Sequence, residues 1–138
     1  MLAAGLILLS DWDRESDFLD PMCGSGTLVI EAAMIACNIP PALHRKDFGF
    51  MNWKNFDEQL WNTIKDSALK KVKDFPGKII ACDRAFASIR KAEANIKEML
   101  NKLEENMKKE YPDEKALWKK TEEMISDAGY ALPVDILY

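Results

Sequence analysis

The string Asp20-Pro21-Met22-Cys23-Gly24-Ser25-Gly26-Thr27 constrains the fold more than any other feature of the chain. It follows Asp17-Phe18-Leu19-Asp20, a short apolar-centred run that stops at Pro21 and reads as a buried strand leading into a turn. From Thr27 the chain continues LVIEAAMIAC, a helix apolar on nearly all sides and therefore packed inside, which Asn38-Ile39-Pro40-Pro41 ends. Gly24 and Gly26 permit a tight turn and close backbone approach to a ligand. The helix start near Thr27 offers unpaired N–H groups and a positive dipole end. Together these suit a small molecule with a carboxylate or polar headgroup, bound at the carboxyl edge of the strand.

The rest of the chain supplies the other half of the unit. Residues 42–56 read as an aromatic-rich loop with Phe48, Gly49, Phe50, Trp53 and Phe56. Asn55 or Asp57 caps the next helix, whose expected apolar face is Leu60, Trp61, Ile64, Ala68, Val72 and Phe75. Pro76-Gly77 breaks it, and Lys78-Ile79-Ile80-Ala81-Cys82 reads as a second buried strand ending at Asp83. Strand, helix, helix, strand predicts a right-handed parallel crossover with an inserted helix. A long amphipathic helix follows, with Ile89, Ala92, Ile96, Met99/Leu100, Leu103 and Met107 at three- and four-residue steps, up to Tyr111-Pro112. Asp113 caps a further helix with Leu117, Trp118, Met124 and Ile125 inward and Gly129 at its end, and residues 134–138 form a third strand. Residues 2–10 form a short apolar helix expected to pack on the core. From Lys97 to Asp127 about half the residues are Lys, Glu or Asp, which reads as a solvated helical face with i,i+4 pairs. Its regularity also fits a divergent or engineered segment.

With 138 residues and 48% apolar types, the chain is one domain or a piece of one, with a real core. A full doubly wound domain needs more chain than this. The net charge of −4 argues against nucleic-acid binding by bulk positive charge, though a local patch or partner domain could still serve RNA. Cys23, Cys37 and Cys82 with a single His give neither a metal spacing nor a disulfide framework, and a reducing cytoplasm is the expected compartment. Met1 to Leu9 falls short of the roughly 20 residues that span a bilayer. It lacks a basic start and is followed by Asp11 and Asp13, so it does not read as a signal peptide.

Three ligands compete for the Gly24-Ser25-Gly26 loop. A nucleoside triphosphate loop needs Lys-Ser/Thr after its second Gly, and Thr27-Leu28 stands there. A dinucleotide fingerprint needs a small residue three beyond Gly26, and Val29 stands there, which weakens NAD or FAD. S-adenosylmethionine needs an acid for its amino group and another for its ribose. Asp20 and Asp83, each ending a predicted parallel strand, fit those two roles.

DFLDPMCGSGTLVIEAAMIA, then Phe48-Gly49-Phe50 with Trp53 and Trp61, then IIACDRAFASIRKAEANI, resembles the bacterial RNA guanine-N2 methyltransferases, which usually carry a THUMP RNA-binding domain ahead of the catalytic domain. The similarity runs from about Leu2 to Lys97. The resemblance implies an α/β fold, part of a doubly wound, Rossmann-like class I methyltransferase domain with a short parallel sheet flanked by helices. It implies S-adenosylmethionine as cofactor, ribosomal RNA as substrate and cytoplasmic residence. Asp20, Pro21, Cys23, Gly24, Ser25, Gly26 and Thr27 would surround the methionine part, and Asp83 would hold the ribose with Arg84 beside it. The family's Asn-Pro-Pro-Tyr motif, which receives the target amine, does not occur in this sequence, and residues 98–133 do not resemble the family. The expectation is one domain over 1–138, the cofactor-binding half of a catalytic domain, with no catalytic residue assigned. The competing readings are an inactive truncated or engineered scaffold and an oxidoreductase fragment that binds NAD.

Other residues have plainer roles. Glu31 in its apolar helix needs a partner, because an unpaired buried charge is costly. His44 reads as a loop surface residue. Phe48, Phe50 and Trp53 read as packing before base-stacking, with Arg45, Lys46 and Lys54 a small basic cluster beside them. An open sheet edge would favour self-association.

Overall fold

A computed structural model of the chain describes residues 2–41, 45, 47–110 and 134–137, with side chains described except at 106, 107, 110 and 134–137. The expected helix after Asp113, together with His44 and Lys46, lies outside them.

The elements run α1 (Leu2–Leu9), β1 (Phe18–Asp20), α2 (Thr27–Ala36), a 3-10 turn (Gly49–Asn52), α3 (Glu58–Leu69), β2 (Ile79–Cys82), α4 (Phe86–Glu110) and β3 (Val134–Leu137). The three strands form one parallel sheet in the order β1-β2-β3. Phe18 pairs with Ile79 and Asp20 with Ala81, while Ile79 pairs with Val134 and Cys82 with Leu137. Both sequence-predicted aspartates therefore stand at the carboxyl edge of neighbouring strands.

The core lies between this sheet, α2 and α4. Val29, Ala32 and Ala33 of α2 meet Ile79 and Ala81 of β2 and Ile89, Ala92, Ile96 and Leu100 of α4, all buried. The spacing read along α4 thus matches its buried stripe, with Leu103 buried as well. On the solvent side of α4, Lys102 pairs with Glu98 and Lys108 with Glu104, the i,i+4 pattern expected there. Helix α2 ends in a Schellman motif: Asn38 takes a left-handed φ of 54°, its N–H donates to the Ile35 carbonyl, and the Ile39 N–H donates to the Met34 carbonyl. Asp57 rather than Asn55 caps α3, its Oδ1 accepting from the Leu60 N–H at 2.9 Å.

Three expectations need correction in part. Helix α1 packs on the core as expected through Ile7, but only through it, and it leaves Leu2, Leu6, Leu8 and Leu9 more than half exposed. An all-apolar helix has no polar side to distinguish, so sequence pattern alone does not reveal that only one face is covered. The face expected along α3 and the residues after it holds only in part: Trp61, Ala68, Val72 and Phe75 are half-buried, but Leu60 and Ile64 are exposed and Leu69 is buried. Trp61 packs on the aromatic turn, its ring meeting Phe48 and Phe50 edge-on at 5.4 and 5.0 Å. Glu31 is only half-buried, so water reaches it, and it has no hydrogen-bond or ion-pair partner among the described residues.

Candidate functional site

The site begins where β1 ends. Asp20 is 8% exposed; its Oδ1 accepts from the Met22 N–H at 3.1 Å, while Oδ2 is buried with no hydrogen-bond partner among the described residues. A buried oxygen without a donor costs about 1–3 kcal/mol, so it marks either strain or a missing partner.

The loop then turns against the end of β2. The Cys23 N–H donates to the Cys82 carbonyl at 2.8 Å, and the Gly24 N–H donates to Asp83 Oδ2 at 3.0 Å. The other oxygen of Asp83 accepts from the Ala85 N–H at 2.7 Å, one residue before α4 begins. Hydrogen bonds from Ala85, then Gly24, hold the Asp83 carboxyl below its ordinary value of 3.8, so it is ionised at neutral pH. The Ser88 hydroxyl adds a third hydrogen bond to the carboxyl, and of the roughly four acceptor sites of a carboxylate one is left for a further hydroxyl.

Gly24 and Gly26 have different tasks. Both have positive φ, 55° and 82°. A Cβ on Gly24 would meet open space, whereas one on Gly26 would lie 3.1 Å from the Ala92 Cβ. Gly26 therefore serves close packing of the loop on α4 through the side where a Cβ would stand. It is also the N-cap of α2, and it provides no side-chain cap, which leaves N–H groups of the first turn open.

The remaining sequence-predicted residues are distributed around this turn. Pro21, Ser25, Thr27 and Arg84 are exposed; Ser25 Oγ and Thr27 Oγ1 lie 3.4 Å apart. Cys23 is buried in the core cluster, and burial, then the Asp20 and Asp83 charges, pushes its thiol pKa up. It is a filler and not a nucleophile. Two residues that the sequence reading did not single out for the site also touch the loop. Asn95 Nδ2 of α4 donates to the Ser25 carbonyl at 2.8 Å, and Ala92 packs against Gly26. Their three-residue spacing on one helical strip was legible, but only as amphipathic pattern.

Among the described residues no group of His, Cys, Asp and Glu could hold a metal ion, and no helix is long and apolar enough to cross a membrane. Phe48 and Phe50 stack at 5.3 Å with Arg45 over Phe48, a packed aromatic cluster on α3. Trp53 stands outside it, 68% exposed. A groove of about 700 Å³ lies elsewhere, lined by Leu8, Met34, Ile35, Ile39, Ile64 and Ala68 among others, and none of the loop residues border it.

A parallel sheet carrying a Gly-rich strand-to-helix turn, with an acid at the end of each of two adjacent strands, defines an α/β domain of the Rossmann-like class, with its ligand edge at the carboxyl ends of the strands. The chain belongs to the RMKL-like methyltransferase domain family, whose model matches residues 1–132, so the likeness does not stop near Lys97 as the sequence resemblance suggested but continues through the charged segment. It is 60% identical over 67 residues to the ribosomal RNA large subunit methyltransferase K/L of Psychromonas ingrahamii, 49% of this chain and 9% of that protein. It is 40% identical over 100 residues to the protein of the same name from Aliivibrio fischeri, 70% of this chain and 14% of that one. The chain thus spans about a tenth of the length of these curated relatives. Its fold matches the crystal structure of SMU.472 complexed with SAH (TM-score 0.63, 38% identity, 71% of this chain and 26% of that one). It also matches a predicted N6-adenine-specific DNA methylase from Listeria monocytogenes (TM-score 0.63, 28% identity, 99% of this chain and 28% of that one).

Proposed function

We propose that the chain is the cofactor-binding half of an S-adenosylmethionine-dependent ribosomal RNA methyltransferase domain, acting on an exocyclic guanine amine in the cytoplasm. The orphaned Oδ2 of Asp20 carries this reading. It is a buried acceptor at the carboxyl edge of the sheet, and the turn that follows it ends on an uncapped helix N-terminus. An acceptor and a set of N–H donors separated by one short loop match an amino-acid headgroup, with its ammonium on Asp20 and its carboxylate toward α2. Asp83 keeps an acceptor site for a ribose hydroxyl, with exposed Arg84 beside it. The residues present therefore fit S-adenosylmethionine, which when bound supplies an electrophilic methyl group. Ribosomal RNA is favoured as substrate by the names of the relatives with the highest identity quoted above.

The residues of this chain bind and orient, and methyl transfer to an amine draws most of its rate from such positioning. The Asn-Pro-Pro-Tyr motif does not occur in these residues, so the chain by itself binds the cofactor and turns over poorly or not at all. Calorimetric titration with S-adenosylmethionine and S-adenosylhomocysteine tests this, with Asp83→Ala in parallel. Binding weakened at least tenfold by the substitution is expected. Absence of binding, or binding indifferent to Asp83→Ala, overturns the site. A methyl-transfer assay on ribosomal RNA tests the second half, and robust turnover by this chain alone would refute it.

A further inference from the structure

We infer that α4 is the template of the ligand loop, and that Asn95 is a positioning residue for the ligand although the loop stands between them. Three consecutive loop residues are each held by the β2–α4 unit. Asp83 grips the Gly24 N–H, the Asn95 amide grips the Ser25 carbonyl, and Ala92 backs Gly26 so closely that no Cβ fits between them. Gly24 and Gly26 both have positive φ, which glycine reaches without strain but shares with many other conformations, so contacts must select it. A Cβ on Gly24 would meet nothing within 4 Å, so side-chain packing does not set its conformation. The Gly26 N–H to Cys23 carbonyl bond that closes the turn, with the polar grips at Gly24 and Ser25, does.

Asn95 differs from its two neighbours in the grip. Ala92 is fully buried in the core and Asp83 caps the entry to α4, so both also serve stability. Asn95 is exposed, and its side-chain contact runs to the loop, 70 residues away in sequence. Without that contact the Ser25–Gly26 peptide keeps one hydrogen bond, from the Gly26 N–H to the Cys23 carbonyl at 2.8 Å, and is held at one end instead of two, so the loop samples conformations in which the α2 N–H groups and Asp20 no longer face one ligand. A ligand then meets a binding-competent loop in only a fraction of molecules, and its apparent affinity falls by that fraction. This rests on the cofactor reading above.

Calorimetry with S-adenosylhomocysteine on the whole chain and on Asn95→Ala, Asn95→Gln and Asn95→Asp separates the possibilities. Asn95→Ala should weaken binding about fivefold, the equivalent of one ordinary hydrogen bond, with the melting temperature of the free chain nearly unchanged. Asn95→Asp, which sets an acceptor against the Ser25 carbonyl, should weaken it further, and Asn95→Gln, which keeps the donor, should restore part of it. Amide hydrogen exchange at Ser25 and Gly26 should quicken in Asn95→Ala without ligand. Wild-type affinity in Asn95→Ala overturns the role of Asn95 and leaves the site intact. Affinity and melting temperature falling together, with Asn95→Gln restoring only the latter, makes the residue merely structural and also overturns it. Failure of the wild-type chain to bind overturns the cofactor site itself, and with it any role for Asn95 toward that ligand.

Discussion

Asp20 and Asp83 stand at the carboxyl ends of adjacent parallel strands and are used in opposite ways: both oxygens of Asp83 accept backbone N–H groups, whereas Oδ2 of Asp20 is buried with none. One carboxyl builds the loop; the other is left for what the loop receives.

Asp20→Asn separates stability from binding. The substitution keeps Oδ1 as acceptor for the Met22 N–H and puts an amide NH2 where the unpartnered oxygen stood, one unsatisfied polar group for another. The urea midpoint of the free chain should therefore move little, by no more than about 1 kcal/mol in unfolding free energy. Affinity for S-adenosylhomocysteine should fall about tenfold or more through loss of a charge-assisted partner. A clear drop in the midpoint would mean that Oδ2 is already satisfied in the free chain.

Asp83 contributes a pH dependence of known sign. Its folded pKa lies below the ordinary 3.8, so folding favours the ionised form. Its contribution is fully present above the unfolded value and is lost as pH falls through the depressed folded value. The stability gap between the wild-type chain and Asp83→Asn should therefore be constant between pH 7 and pH 5, then narrow below about pH 4. Urea unfolding at pH 7, 5 and 3 reads the gap, and a gap that widens in acid contradicts the assignment.

The two loop glycines should differ under the same substitution. Gly24→Ala meets open space and costs only the left-handed backbone, about 1–2 kcal/mol. Gly26→Ala adds overlap with Ala92, whose Cα is 3.3 Å from the new Cβ, and should cost a further 1–3 kcal/mol or so. Differential scanning calorimetry of the pair checks this; equal shifts would mean that α4 yields readily.

The partly corrected face of α3 is testable against the core. Leu60→Ala, on an exposed side chain, should change unfolding free energy by less than about 0.5 kcal/mol. Ile89→Ala, at 0% exposure, should cost about 2–5 kcal/mol by leaving a cavity. Had Leu60 faced the core as its helical spacing suggests, both would be costly.

What the sequence made legible is what local chemistry dictates. Pro21, Gly24 and Gly26 punctuate the turn, Asn38 stops α2, Asp57 starts α3, and the steps from Ile89 to Leu103 define the buried stripe of α4. The parallel pairing of β1 with β2 followed from two apolar runs separated by helices, and both site aspartates from their places at the strand ends. The rest depended on which of two plausible surfaces wins. Phe48 and Phe50 cover Trp61 of the expected face of α3 while Leu60 and Ile64 stay exposed, and α1 offers no polar side from which to judge its orientation. Within the site, glycine spacing gives no sign of which glycine meets open space and which faces Ala92. Asn95 is hidden by its setting, because one amide in a charged helix looks like any solvated position.

The holders of the loop lie far from it along the chain: Asp83 is 59 residues beyond Gly24, and Asn95 is 70 beyond Ser25. A peptide spanning residues 18–37 would contain every atom of the glycine turn and none of the groups that shape it from outside. The turn consequently cannot mature early in folding. It must wait until the chain has closed a loop of this length, and closing such loops is what slows the folding of non-local topologies. In a nascent chain, ligand competence arrives only when the β2–α4 segment has been made and docked, well after the residues that bear the motif.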